Sequence, residues 1–459
     1  MRSVLRSTAA CLALATALLH AGASSAAPQA PPSPQPAAFD AVAATNAYLA
    51  TVAGEQRARS DAYFEGGYWL QLWDFLLGVA VNLALLASGL SRRMRELAER
   101  ATRLRPVQTL LYWMQYLLLT SLVLFPMTVY ESFFREHAYG LSNQTFAAWL
   151  ADALKALGVG LVLGGLFVTV LYAVVRRLVR TWALWGAVAM VALVVFAILI
   201  GPVFVAPLFN RYTRLADPVV EDPILSLARA QGVAARDVWV FDASRQSKRV
   251  SANVSGFAGT MRISLNDNLL NRCSLAEIEA VMGHEVGHYV LHHIPTTILF
   301  TAVVIVIGFA LLKRGFEALA TGPGARWGIR GVGDPAGLPL ALVLLSTYFF
   351  VLTPVLNSWT RTQEAEADLF GINASGQPDG EARVDLMLGE YRKLDPRPLE
   401  EVLFFDHPSG RSRILMAMRW KAEHLAEAAA NAERAAAEDR RRGWSTEKAE
   451  AWAREHAPR

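Results

Sequence analysis

The sequence predicts a multi-pass α-helical membrane protein that carries an α+β domain outside the bilayer. Three observations lead there. The 459 residues are 53% hydrophobic and only 18% charged, against about a quarter charged in a soluble domain. The apolar residues are gathered in long runs, most of them long enough to span a bilayer. Between and after these runs lie polar stretches with strand and helix patterning, one of which reads His284-Glu285-Val286-Gly287-His288.

Taken in order, residues 1–27 begin with Arg2 and Arg6, continue through an Ala/Leu-rich core and end in small residues. That is the form of a signal peptide or a first transmembrane helix. Residues 28–67 read as a Pro/Ala-rich linker and extramembrane segment, with five prolines from Pro28 to Pro36. The runs Leu70–Leu90, Leu110–Val129, Leu157–Val175 and Trp182–Phe209 supply four helices of an N-terminal transmembrane domain over 68–209. Thr297–Leu312, the shortest run, and Leu338–Leu356 form a transmembrane hairpin over 296–357.

Basic residues fall in alternate loops: Arg92 to Arg105, then Arg176, Arg177 and Arg180, then Lys313, Arg314, Arg326 and Arg330. Placing these loops in the cytoplasm puts 210–295 and 358–459 together on the opposite face. The same rule accounts for the net charge of +4, so no nucleic-acid partner is called for. No G-x-x-x-x-G-K-[ST] loop occurs, so no nucleotide is expected. The two cysteines, Cys11 and Cys273, make neither a disulfide framework nor a cysteine zinc site.

The polar segment 210–295 holds Asp237–Asp242 and Arg249–Ala258, which read as strands, and a turn at 256–260 before Met261–Leu265. A hairpin edge strand there offers a place for an extended peptide. Ser274 and Glu277 form a capping box, and Leu275, Ile278, Val281 and Met282 recur at helical spacing, predicting a helix from Leu275 to His293. On that helix His284 and His288 lie four apart on one face, able to reach one metal ion, with Glu285 beside its open position. A third ligand is required. Leu291 and Ile294 stand where a metzincin has glycine and histidine, so the donor has to come from elsewhere. Glu364-Ala365-Glu366-Ala367-Asp368, just after the last apolar run, is the source, and spacing alone leaves Glu364 and Glu366 both open. Residues 358–420 then complete the domain, and 421–459 read as a charged, solvated helical tail.

Several motifs together resemble the M48 metallopeptidases of the Ste24 (CAAX prenyl protease) type: Ser247-Lys248-Arg249, the HEVGH helix, the membrane hairpin, Glu364-x-x-x-Asp368, His407-Pro408 and Arg413-Ile414. The resemblance runs from about residue 40 to 420. It implies a gluzincin-like (HExxH) α+β metallopeptidase domain on a multi-pass α-helical membrane protein. By the same resemblance His284, His288 and Glu364 are the metal ligands, with one Zn²⁺ per chain. Asp368 is an orienting residue or proton donor, His407 steadies the oxyanion and Arg413 braces the site. Glu285 is the general base. The family often has Asn-Ala-Tyr where this chain reads Ser251-Ala252-Asn253-Val254.

The expected function is a membrane-embedded zinc-dependent endopeptidase acting on peptides or membrane-associated proteins. The expected location is a bacterial inner membrane, with the catalytic face periplasmic. A site-2-type intramembrane protease places its motif in an apolar span, whereas Arg272, Glu277 and Glu279 make this helix polar. The alternative from another class is a membrane scaffold or receptor with a structural or inactive zinc site.

Overall fold

The computed structural model describes residues 39–255, 261–322 and 324–456; the leader and the proline-rich stretch to residue 38 lie outside the described residues, as does the turn at 256–260. Among the described residues, six helices are long and apolar enough to cross a membrane: Glu55–Ala87, Arg105–Ala138, Phe146–Arg177, Trp182–Leu208, His293–Thr321 and Pro335–Ser375. The six apolar runs read from residue 70 onward each fall on one of them. The short run at 297–312 is the middle of a 29-residue helix. Their outward faces carry large apolar side chains such as Leu122, Phe204 and Val351, as expected where the surrounding medium is hydrocarbon.

The helices are labelled in chain order: α1 (Ala41–Thr51), α2 (Glu55–Ala87), α3 (Leu90–Ala101), α4 (Arg105–Ala138), α5 (Phe146–Arg177) and α6 (Trp182–Leu208). Read from sequence, α1 belongs to a linker. The structure instead makes it a helix against the later part of the chain, with Tyr48 donating to Asp379 Oδ1 at 2.7 Å and Arg411 to Asn46 Oδ1 at 3.0 Å. The three basic loops meet one another. Arg95 pairs with Asp334 at 2.5 Å, Arg176 donates to the Gly333 carbonyl at 2.8 Å, and Arg330 donates to Glu99 at 2.6 Å.

After α6 come β1 (Tyr212–Arg214), α7 (Pro218–Ala230), β2 (Val238–Phe241), β3 (Ala252–Ser255) and β4 (Arg262–Asn266). They form a four-stranded sheet in the order β1-β2-β4-β3. β1 and β2 run antiparallel, β2 and β4 parallel, β3 and β4 antiparallel. The two strands of the hairpin read from the sequence therefore pair, and among the described residues β3 lies at an edge of the sheet. Short helix α8 (Asp267–Arg272) leads to α9 (Leu275–Val290), the helix of the HEVGH motif. Ser274 and Glu277 make the capping box. Leu275, Ile278, Met282 and Val286 pack against Val238, Ile263 and Leu265 of the sheet and Val220 and Ile224 of α7, so the helix is a core element with one catalytic face.

The helix ends three residues short of the expected His293. Leu291 bonds back to Gly287, and His292 takes a left-handed conformation with φ 60°, the only non-glycine among the described residues to do so. The chain then leaves as α10 (His293–Thr321) and returns as α11 (Leu338–Ser375). α11 crosses α9 backbone to backbone. A Cβ on Gly283 would sit 2.6 Å from the Gly371 carbonyl oxygen, and one on Gly371 would sit 2.6 Å from the His284 amide nitrogen. Small residues at both sides of a crossing let helix backbones touch, and here that contact sets the polar end of α11 beside the motif.

The remaining helices are α12 (Pro378–Leu388), α13 (Pro398–Phe404), α14 (Gly410–Glu423), α15 (Leu425–Arg441) and α16 (Thr446–Glu455). The tail read as solvated is docked on α9. Ala428 and Ala435 are buried, Arg434 pairs with buried Glu279 at 2.7 Å, and Asp439 accepts the Leu275 amide at 3.0 Å. Alanine on one side of α15 and charge on the other make it amphipathic, with the small residues facing the protein.

Candidate active site

Two helices supply the centre of the site. α9 presents His284 and His288 one turn apart, and α11 presents Glu364 across the glycine contact. His284 Nε2 lies 3.0 Å from His288 Nε2 and 3.2 Å from Glu364 Oε2, and His288 Nε2 lies 3.5 Å from Glu364 Oε1. Tetrahedral zinc with bonds of about 2.0–2.1 Å separates its ligand atoms by about 3.3 Å. The three side chains therefore fit such an ion without rearrangement, and among the described residues they are the one His/Cys/Asp/Glu group gathered closely enough to hold a metal. Glu366, left open as a ligand by spacing, is not among them. Its side chain is 59% exposed and reaches His293 instead.

The other nitrogens of both histidines are occupied. His284 Nδ1 donates to Asp368 Oδ1 at 2.7 Å, and His288 Nδ1 lies 2.9 Å from His293 Nδ1. This leaves each Nε2 facing the other donors, the arrangement in which hydrogen bonds orient metal-binding imidazoles. Burial opposes charge on His284, but the Asp368 and Glu364 carboxylates outweigh it and hold its pKa well above the ordinary range. His288 goes the other way, lowered to about 4 by burial and then by the charge of His284.

Asp368 is only 2% exposed and is bonded to Arg413 as well as to His284. Arg413 also faces Asp385 at 3.2 Å and Glu381 at 3.5 Å. One buried guanidinium thus holds three buried carboxylates, one of them Asp368 behind His284. Neither Glu381 nor Asp385 was legible in the sequence as part of this assembly.

A cavity of about 170 Å³ opens beside the donors, lined by Glu285, His284, Glu364, His407 and Arg413 and by Val250, Ser251 and Ala252 at the start of β3. Burial lifts the Glu285 carboxyl to about 7, and the charge of His284 offsets part of that rise. His407 Nε2 lies 3.3 Å from Glu364 Oε2, and its Nδ1 donates to Asp406 at 2.8 Å. All seven residues singled out from the sequence are therefore brought together: five line one cavity, and His288 and Asp368 join them through direct contacts. The sequence reading missed His293, Gly283 and Gly371. A histidine five residues beyond the motif was a visible signal for the first; the glycines gave none without the partner helix.

Residues 43–211 match the family model described as CAAX prenyl protease N-terminal, five membrane helices, and residues 214–421 match peptidase family M48. A metalloprotease of Bacillus subtilis, YhfN, is 30% identical over 346 residues, covering 74% of this chain and 81% of its own. CAAX prenyl protease 1 of Saccharomyces cerevisiae is 26% identical over 311 residues, covering 64% and 69%. The crystal structure of S. mikatae Ste24p superposes with a TM-score of 0.68 at 22% identity, covering 82% of this chain and 94% of that one. The chain belongs to peptidase family M48, of the Ste24 type, and is an integral multi-pass membrane metalloprotease.

Proposed function

We propose that His284, His288 and Glu364 hold one zinc ion per chain and that the chain cleaves internal peptide bonds of peptides or membrane-associated proteins. The observation that carries this is the gathering of three metal donors, two of which line one cavity together with Glu285. Two imidazoles and one carboxylate leave a coordination position open, which marks a catalytic site; a structural site closes with four protein ligands. That count, with Glu285 in place, weighs against the scaffold reading.

Bound there, zinc supplies a Lewis acid that acidifies water and polarises a carbonyl. Glu285 takes the proton from the attacking water and passes it to the leaving amine, a task suited to a carboxyl lifted towards neutrality. His407 lines the same cavity with Nε2 3.3 Å from Glu364 Oε2, which supports a place for it beside the substrate carbonyl. Asp368 has one oxygen shared between His284 and Arg413, which supports an orienting role over proton donation. The substrate backbone adds to the β3 edge, whose first residue, Ala252, lines the cavity with Val250 and Ser251 just before it.

His293 opens α10 and Glu364 lies near the end of α11, so the site is built where two membrane helices end. This supports substrates held at a bilayer, such as a lipid-anchored terminal peptide. The three basic loops gather through Arg95, Arg176 and Arg330, which supports a cytoplasmic assignment for that face. The catalytic face is then periplasmic in a bacterial inner membrane.

The test is metal content by mass spectrometry on detergent-purified wild type and Glu285→Gln, paired with cleavage of a quenched peptide with and without o-phenanthroline. One zinc per chain in both, with chelator-sensitive cleavage in wild type only, is the expected result. Absence of zinc from the wild type, or unchanged cleavage by fully loaded Glu285→Gln, overturns the reading.

A further inference from the structure

Glu366 sits between Glu364 and Asp368 yet faces away from both, and its one partner among the described residues is His293. His293 is buried, 5% exposed, with Nδ1 2.9 Å from His288 Nδ1 and Nε2 3.2 Å from Glu366 Oε2. The contact exists because the helix breaks. On an uninterrupted helix, residues five apart diverge by about 140°. The left-handed turn at His292 folds the ring of His293 back onto His288.

With both imidazoles neutral, the three groups form a chain with one consistent arrangement of protons. A neutral imidazole carries a single N–H. A carboxylate only accepts, so Glu366 selects the His293 tautomer with hydrogen on Nε2. His293 Nδ1 is then an acceptor, and His288 must donate to it from Nδ1. That leaves the lone pair of His288 on Nε2, the atom that faces His284 and Glu364. In the opposite arrangement His293 Nε2 and the Glu366 carboxylate would meet as two acceptors, and His288 Nε2 would carry a hydrogen where a metal must bind.

We propose that His293 and Glu366 are positioning residues which set the tautomer and orientation of His288 for metal binding. They do through one intermediate ring what Asp368 does directly for His284. The segment Glu364-x-Glu366-x-Asp368 then serves the centre three times: one carboxylate as ligand and one behind each histidine. This inference rests on His288 being a ligand. Groups that orient metal-binding imidazoles contribute about 10- to 100-fold in affinity when removed, although Glu366 itself is largely in solvent.

The experiment is zinc affinity of the full chain in detergent, by competition with a chelator, for wild type, Glu366→Ala, Glu366→Gln, His293→Ala, the His293→Ala/Glu366→Ala pair and His288→Ala. Glu366→Ala is expected to bind zinc about tenfold more weakly with its metal-free melting temperature unchanged, since the side chain lies at the surface. Glu366→Gln, which keeps an acceptor oxygen but loses the charge, recovers most of that affinity. The double variant binds no more weakly than His293→Ala, because Glu366 acts only through that ring. Three results overturn the proposal: wild-type affinity in Glu366→Ala, a Gln variant as weak as the Ala variant, or a Glu366→Ala loss that persists without His293. Undiminished zinc affinity in His288→Ala would instead remove the ligand assignment, a failure separable from these.

Discussion

Gly283 and Gly371 touch across the crossing of α9 and α11, with 2.6 Å between the carbonyl oxygen of Gly371 and the place a Gly283 Cβ would occupy. Each glycine neighbours the residues that matter: Gly283 precedes His284, and Gly371 follows Asp368 by three positions. The crossing distance therefore sets how far the Glu364 and Asp368 carboxylates stand from the His284 ring.

Gly371→Ala and Gly283→Ala are accordingly expected to push the helices apart, since the obstructing atoms are backbone that cannot swing aside. Overpacking of this kind costs about 1–3 kcal/mol. Zinc content and melting temperature should fall together in both variants. Wild-type zinc content in either would mean the crossing does not govern the site.

Removing the cation behind Asp368 has a pH signature. Burial raises the Glu381 carboxyl, and burial raises Asp385 well above its ordinary range, with Arg413 opposing both shifts. A carboxyl raised in the folded state favours folding while protonated and loses that contribution as pH rises through its folded value. Arg413→Met should cost about 3–5 kcal/mol, and the loss should be larger at pH 8 than at pH 5. Thermal unfolding at the two values measures it; an equal loss at both would contradict the charge argument.

Zinc uptake should release protons. The metal-free His284 imidazolium is held above the ordinary histidine range, so it contributes stability below about pH 6.5 that is lost as pH rises through the raised value. A metal ligand has to be neutral. The rise in melting temperature on adding zinc is therefore expected to grow from pH 6 to pH 8. A pH-independent rise would show that His284 is not deprotonated on binding.

The tail helix is predicted to support the motif helix from behind. Asp439 accepts the Leu275 amide alongside the Ser274 cap. Loss of a cap costs about 1 kcal/mol, so Asp439→Ala should lower the melting temperature modestly. Truncation after His424, which also removes Arg434 from Glu279, should lower it further. A truncated chain as stable as the full one would make the docking incidental.

Cys273 is buried completely, and burial holds its thiol well above the ordinary range. Native protein in detergent should resist maleimide at this residue while denatured protein reacts. With Cys11→Ser as background, this leaves single cysteines introduced at Arg180 and Thr446 as reporters of the two membrane faces, read by an impermeant reagent on intact cells. Equal labelling at both would contradict the assignment of faces.

Sequence alone determined the spans and the motif helix. A bilayer admits few backbone arrangements, so a long apolar run has essentially one reading, and the capping box at Ser274 and Glu277 is satisfied within four residues. The pairing of His284 with His288 followed from helix periodicity for the same local reason. The tertiary structure decided which acid does what. Helix geometry says that Glu364 and Asp368 share a face and Glu366 does not, but it leaves open which face meets α9. That was chosen by the contact of Gly283 with Gly371, two residues far apart in the chain with no side chain to advertise it. The break at His292 and the docking of α15 were hidden likewise, because each is stabilised by partners distant in sequence. Local rules carry the elements; the site depends on where two helices can touch.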